Sequence, residues 1–174
     1  RYKILPRYRG YHGNTLGALS ATGQAERKLD YGPFVPGFIH IDAPDSYRVS
    51  HDCADQLERA IEREGPSTVA AFIMEPIIAG GGVLIPPDDY LTRVREICDR
   101  HGVLLIVDEV VTGFGRTGIS FAHKRAAIRP DLLTLGKGIA SGYQPLAALV
   151  ATQEIFEAFE GEPGDLRHFR HINT

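Results

Sequence analysis

Apolar and polar positions alternate along the chain in two distinct rhythms. A helical period runs over residues 88–100, where Leu91, Val94, Ile97 and Cys98 share one face and Gly102 supplies a stop. A second helix is expected over residues 52–64, with Leu57, Ala60 and Ile61 inward and Ser50 or Asp52 as its cap. Between and after these helices lie short unbroken apolar runs at residues 68–74, 103–107, 132–135 and 146–151. Runs of that length without alternation suit strands buried on both faces, and hence a parallel sheet with helices on either side. The order strand, helix, strand, longer excursion, strand predicts an α/β fold, three-layered and mostly parallel. Residues 2–45 are richer in Gly and Pro and are expected to hold one strand, a short helix near residues 15–22 and a long surface loop.

In open parallel sheets, ligands gather beyond the carboxyl ends of the strands. Polar residues stand at those ends here. Glu75 follows Phe72-Ile73-Met74, Asp108 and Glu109 follow the run ending at Val107, and Lys137 follows the run ending at Leu135. A carboxylate such as Asp108, placed against low-dielectric surroundings, needs a cationic or hydrogen-bonding partner. That partner is either a structural cation or helix end, or a protonated pyridine nitrogen of a bound cofactor. Lys137 sits between Gly136 and Gly138, which leave room for close approach to the backbone. Taken singly it reads equally as an exposed surface lysine. Asp108 and Lys137 at neighbouring strand ends together point to a site. Tyr11-His12-Gly13, just after the first expected strand, offers a ring that either packs a loop or stacks on a flat cofactor.

Other chemistry is weaker. Gly113, Gly115 and Gly118 match G-x-G-x-x-G after a strand, and Asp131 lies near the offset of a ribose-binding acid. Asp108 and Glu109 would set two negative charges beside a pyrophosphate, however, and Asp131 begins its strand where the ribose acid should end one. Lys137 lacks the flanking residues of a P-loop, and His168 and His171 lack partners with zinc spacing. The net charge of −3 and the absence of a basic block argue against a nucleic-acid surface, and no apolar run approaches membrane-spanning length. Cys53 and Cys98 lie on separate expected helices, which suits two reduced thiols in a cytoplasmic protein. The chain opens at Arg1 and stops at Thr174 in a polar stretch, and is read as a piece of a longer protein.

Jointly, these segments resemble the class III pyridoxal-phosphate aminotransferases, the omega-aminotransferase group of fold type I. The resemblance is carried by Tyr11-His12-Gly13-Asn14-Thr15 through Thr22-Gly23, by Met74-Glu75-Pro76-Ile77, and by the stretch from Leu105 through Asp108-Glu109-Val110 to Gly118. It ends with Leu135-Gly136-Lys137-Gly138 and Gly142-Tyr143-Gln144-Pro145-Leu146. The resemblance implies that Lys137 holds pyridoxal 5'-phosphate as a Schiff base and shuttles a proton. It also implies that Asp108 pairs with the pyridinium nitrogen. It places Tyr11 on one face of the ring and Val110 on the other, with His12 and Glu75 close by, Glu75 resembling a glutamate that in some members gates an arginine. Thr174 falls where the family carries a threonine that reaches the phosphate of the neighbouring subunit, so a homodimer is implied.

The same resemblance makes residues 1–174 part of the large cofactor-binding domain, with the phosphate-loop segment and the small C-terminal domain outside the chain. The implied reaction moves an amino group from an amine or omega-amino acid to a keto acid, pyruvate. The stretches 22–28, 36–40 and 44–48 resemble the branch using amines, beta-alanine or taurine as donors. The alternatives are an aminomutase of the same fold and a catalytically incomplete fragment.

Overall fold

The computed structural model describes residues 1–48 and 53–160. Its apolar runs form a five-stranded sheet from β1 (Lys3–Leu5), β2 (Val69–Met74), β3 (Leu104–Asp108), β4 (Leu132–Leu135) and β5 (Ala148–Ala151), in sequential order across the sheet. The first three pairings are parallel and β4 with β5 is antiparallel. The last run thus forms a strand, but of reversed direction. The segment that joins it to β4, residues 136–147, holds one 3-10 turn, Lys137–Ile139, and no α-helix. A parallel return normally crosses over through a helix, whereas an antiparallel partner needs only a loop.

Two amphipathic helices, α2 (Cys53–Glu64) and α3 (Tyr90–His101), cover the sheet. Both lie where the 3.6-residue period sets them. Leu57 and Ile61 of α2 and Val94, Ile97 and Cys98 of α3 join Phe72, Met74, Leu105 and Val107 in one buried cluster. Each such aliphatic or aromatic side chain withdrawn from water contributes roughly 1.5–3 kcal/mol. Gly102 ends α3 with φ +60 and its N–H on the Asp99 carbonyl, the left-handed stop expected from the sequence. The expected caps of α2, Ser50 and Asp52, lie outside the described residues. The glycine-rich first part holds β1 and a short helix, α1 (Leu16–Ala21). A five-residue helix, α4 (Gln153–Glu157), follows β5.

Register fixes where polar groups gather. Met74 pairs with Val107 and Asp108 with Thr134, so β2, β3 and β4 end at one edge. Leu5 pairs with Phe72, and the chain after β1 leaves at the same edge. Glu75, Asp108, Lys137 and the loop carrying Tyr11 and His12 are thereby brought to one side of the sheet, as the sequence predicts.

Candidate active site

Asp108 closes β3 and is 6% exposed. Its Oδ2 stands 2.8 Å from His12 Nδ1, and its Oδ1 accepts the Val110 N–H at 3.1 Å. A carboxylate has about four acceptor sites, so two partners leave capacity for a further donor. The His12 ring is itself buried and its Nε2 has no hydrogen-bond partner among the described residues, which is costly for a buried nitrogen and marks an incomplete environment.

Glu75, immediately after β2, organises the loop beside it. Its carboxylate accepts the Tyr11 N–H at 3.0 Å and the Ala79 N–H at 3.3 Å. Burial pushes its pKa up, and the hydrogen bond from Tyr11, the charge of His12 and that of Arg7 only partly offset this. Arg7 is 1% exposed, donates to the Glu75 carbonyl and lies 5.7 Å from the Tyr90 ring centroid. The Tyr11 ring carries the Arg27 guanidinium 4.7 Å from its centroid, with Arg27 Nε on the Gln24 carboxamide oxygen. Sequence reasoning missed both arginines. A lone cation beside an aromatic carries no spacing signal.

Lys137 begins the 3-10 turn after β4 and is exposed; its carbonyl accepts the Ala140 N–H at 3.1 Å, while its side-chain amine has no hydrogen bond or ion pair among the described residues. Its backbone takes φ +43. The left-handed region costs a side-chain-bearing residue roughly 1–2 kcal/mol, so neighbours must enforce it. Those neighbours come from the β3 end. A Cβ at Gly136 would stand 3.2 Å from Val110 Cγ1, and one at Gly138 would stand 2.9 Å from Phe114 Cβ. The flanking glycines are therefore needed for the close approach of this loop.

Glu109 has no exposed surface. Its carboxylate accepts the Thr112 hydroxyl at 2.6 Å, the His123 N–H at 2.8 Å and lies 2.9 Å from His123 Nδ1. Burial pushes its pKa up, yet the donors from His123, Thr112 and Ala122 together outweigh this and leave it lowered. A second acid directly after Asp108, in an apolar context, signals such a nest of donors. Which residues supply it depends on loop geometry that the sequence does not display.

The dinucleotide reading fails on geometry. The loop over residues 113–118 leads into a short 3-10 turn, Ala122–Ala126, and not into a helix whose N-terminus could hold a pyrophosphate. Asp131 lies at the start of β4, where it accepts from Arg95 at 2.7 Å and from the Leu105 N–H at 2.7 Å. Among the described residues there is no cluster of three or more His, Cys, Asp or Glu able to hold a metal, and no helix long and apolar enough to cross a membrane. Thr174, His168 and His171 lie outside the described residues.

Residues 1–171 match the family model described as aminotransferase class III. The YhxA aminotransferase of Bacillus subtilis is 53% identical, over 100% of this chain and 40% of its own length. The taurine–pyruvate aminotransferase of Bilophila wadsworthia is 48% identical, over 98% of this chain and 40% of its own. A crystal structure of a Bacillus anthracis aminotransferase superposes with a TM-score of 0.94 at 49% identity, covering 100% of this chain and 40% of that one. The chain thus spans about 40% of the length of these relatives. With a sheet, a strand-end site and a near-complete match in agreement, the chain belongs to the class III aminotransferases.

Proposed function

We propose that the enzyme containing this chain transfers an amino group from an amine or omega-amino acid to pyruvate, using pyridoxal 5'-phosphate held at Lys137. The observation that carries the reading is the placement of a buried, partly satisfied carboxylate and an unpaired lysine at the ends of adjacent parallel strands. A flat pyridine bearing an aldehyde fits the residues present. Asp108 retains acceptor capacity for a ring N–H, glycines flank the amine at Lys137, and the buried His12 Nε2 awaits a partner. When bound, the cofactor supplies an electron sink for the carbon that bears the amino group.

This chain's own groups supply the rest. Lys137 Nζ would hold the cofactor through its aldehyde carbon and, once freed by the incoming amine, take and return the proton of the reacting carbon. Asp108 Oδ would keep the ring nitrogen protonated, and His12 Nδ1 holds that carboxylate in place. Tyr11 and Val110 would bound the ring on either side, Glu75 fixing the Tyr11 backbone. The Bilophila relative's name, a taurine–pyruvate aminotransferase, supports pyruvate as acceptor and a small omega-amino acid as donor. In this reading the chain is the core of the large domain, the phosphate loop and small domain belong to the rest of the polypeptide, and the working unit is a cytoplasmic homodimer.

The test uses the full-length protein. It is loaded with pyridoxal 5'-phosphate, reduced with borohydride and mapped by mass spectrometry, with labelling expected at Lys137. Labelling at another lysine would overturn the assignment. Supplying an amine with and without pyruvate completes it, since turnover without a keto acid would indicate an aminomutase.

A further inference from the structure

Two side chains outside the proposed catalytic set hold together the loop that packs against the Lys137 segment. The glycine-rich loop leaves β3 at Val110 and returns at the 3-10 turn Ala122–Ala126. Glu109 closes it like a clasp. Its Oε2 takes the Thr112 hydroxyl from the outgoing limb, and its Oε1 takes both the N–H and Nδ1 of His123 from the returning limb. The clasp is tight, because a Cβ at Gly113 would stand 2.8 Å from the Glu109 carbonyl oxygen. Inside the loop the rings form a row: Phe121 stacks on His123 with centroids 6.0 Å apart, and Phe114 meets Phe121 edge-on at 5.4 Å.

The far end of that row touches the lysine segment. Phe114, itself left-handed at φ +57, presents its Cβ 2.9 Å from a Cβ built at Gly138. Val110, at the loop's other end, lies 3.2 Å from a Cβ built at Gly136. The loop therefore grips the chain on both sides of Lys137, the residue whose φ of +43 has to be enforced from outside. A buried carboxylate with three protein donors is a rigid anchor for such a grip.

We infer that Glu109 and His123 are positioning residues for the Lys137 amine, acting through the ring row Phe121–Phe114 and through Val110. The inference rests on Lys137 being the reacting amine, and it adds a control on that amine's geometry. A displaced amine loses rate more than affinity, since reaction demands an aligned lone pair and binding of the donor does not.

The experiment compares His123→Phe and His123→Asn in the full-length enzyme loaded with pyridoxal 5'-phosphate. His123→Phe keeps a ring against Phe121 and removes the imidazole donor to Glu109, whereas His123→Asn offers an amide donor in place of Nδ1. The readouts are the pH midpoint of the visible absorption of the lysine-bound cofactor, and kcat and KM for the amine donor. For His123→Phe we expect the midpoint to move by about half a pH unit or more. We also expect kcat to fall about tenfold or more while KM stays within about threefold, with His123→Asn recovering much of the rate. A His123→Phe enzyme with unmoved midpoint and kcat overturns the inference. So does a loss confined to melting temperature, with normal turnover per bound cofactor. If His123→Phe does not fold, Thr112→Val removes one donor and should move both readouts in the same direction, and unchanged values there overturn it equally. Borohydride labelling of the parent enzyme at a lysine other than Lys137 would instead sink the underlying assignment.

Discussion

The imidazole Nδ1 of His12 lies 2.8 Å from the Asp108 carboxylate, tying the loop after β1 to the end of β3. The side chains are 3% and 8% exposed, so this contact is made with little water to screen it. Asp108→Asn keeps the shape and removes the charge. In the full-length enzyme it should lower kcat by about 100-fold, roughly 3 kcal/mol of barrier, because an amide does not hold a ring nitrogen protonated. Borohydride labelling at Lys137 should persist. A variant of undiminished kcat would remove Asp108 from the chemistry.

The loop that presents His12 depends on Gly23. Its N–H donates to the Gly10 carbonyl at 2.8 Å and its carbonyl accepts the Arg9 N–H at 3.0 Å, so two strands of loop run side by side. A Cβ at Gly23 would stand 2.2 Å from the Arg7 carbonyl oxygen and 2.6 Å from Tyr8 Cα. Backbone cannot yield as a flexible side chain can, and Gly23→Ala should cost about 3 kcal/mol or more in a thermal melt of the cofactor-free protein. Gly17→Ala is the matched control. Gly17 lies in α1 with no atom of the described residues within 4 Å of a new Cβ, and alanine there should gain about 0.5–1 kcal/mol.

How far the sequence disclosed this arrangement depends on the range of each signal. The period of α3 and its stop at Gly102 are local properties, and so were legible. So were the strand ends that carry Glu75, Asp108 and Lys137, because a polar residue after an unbroken apolar run marks a sheet edge. The reversal of β5 was not legible, since Leu149 and Val150 read alike in either direction. The partners of Glu109 were hidden for a related reason. Thr112 and His123 are brought to it by a loop whose path is set by left-handed Phe114 and by ring contacts. Arg7 escaped notice because nothing in Pro6-Arg7-Tyr8 distinguishes a buried cation from an exposed one.

Cys98 is fully buried on α3, and burial pushes its thiol pKa up to about 12. The thiolate is the reactive form, and at pH 8 only about one thiol in ten thousand would be ionised. Iodoacetamide should therefore leave Cys98 unmodified in the native protein and label it only as the chain unfolds, as followed by mass spectrometry across a urea series. Rapid labelling without urea would show that α3 opens readily.

Two buried carboxylates at neighbouring strand ends should respond to pH with opposite sign. Glu75 has a raised pKa in the folded protein, so folding tightens its hold on a proton. Its contribution favours the folded state below the ordinary value of 4.5 and is lost as pH rises through the folded value. Glu109 has a lowered pKa, and its contribution is present above 4.5 and lost as pH falls through the folded value. Glu75→Gln should thus gain stability relative to the parent as pH rises from below 4.5 toward neutrality. Glu109→Gln should lose stability relative to the parent over the same rise, and the gap should narrow again on acidification. Urea midpoints of the two variants and the parent, taken across that range, decide the matter. The differences should diverge with pH, because desolvation prevails at Glu75 and the donors of Thr112 and His123 prevail at Glu109. Parallel curves would mean that the two carboxylates share one electrostatic environment, contrary to their hydrogen bonding.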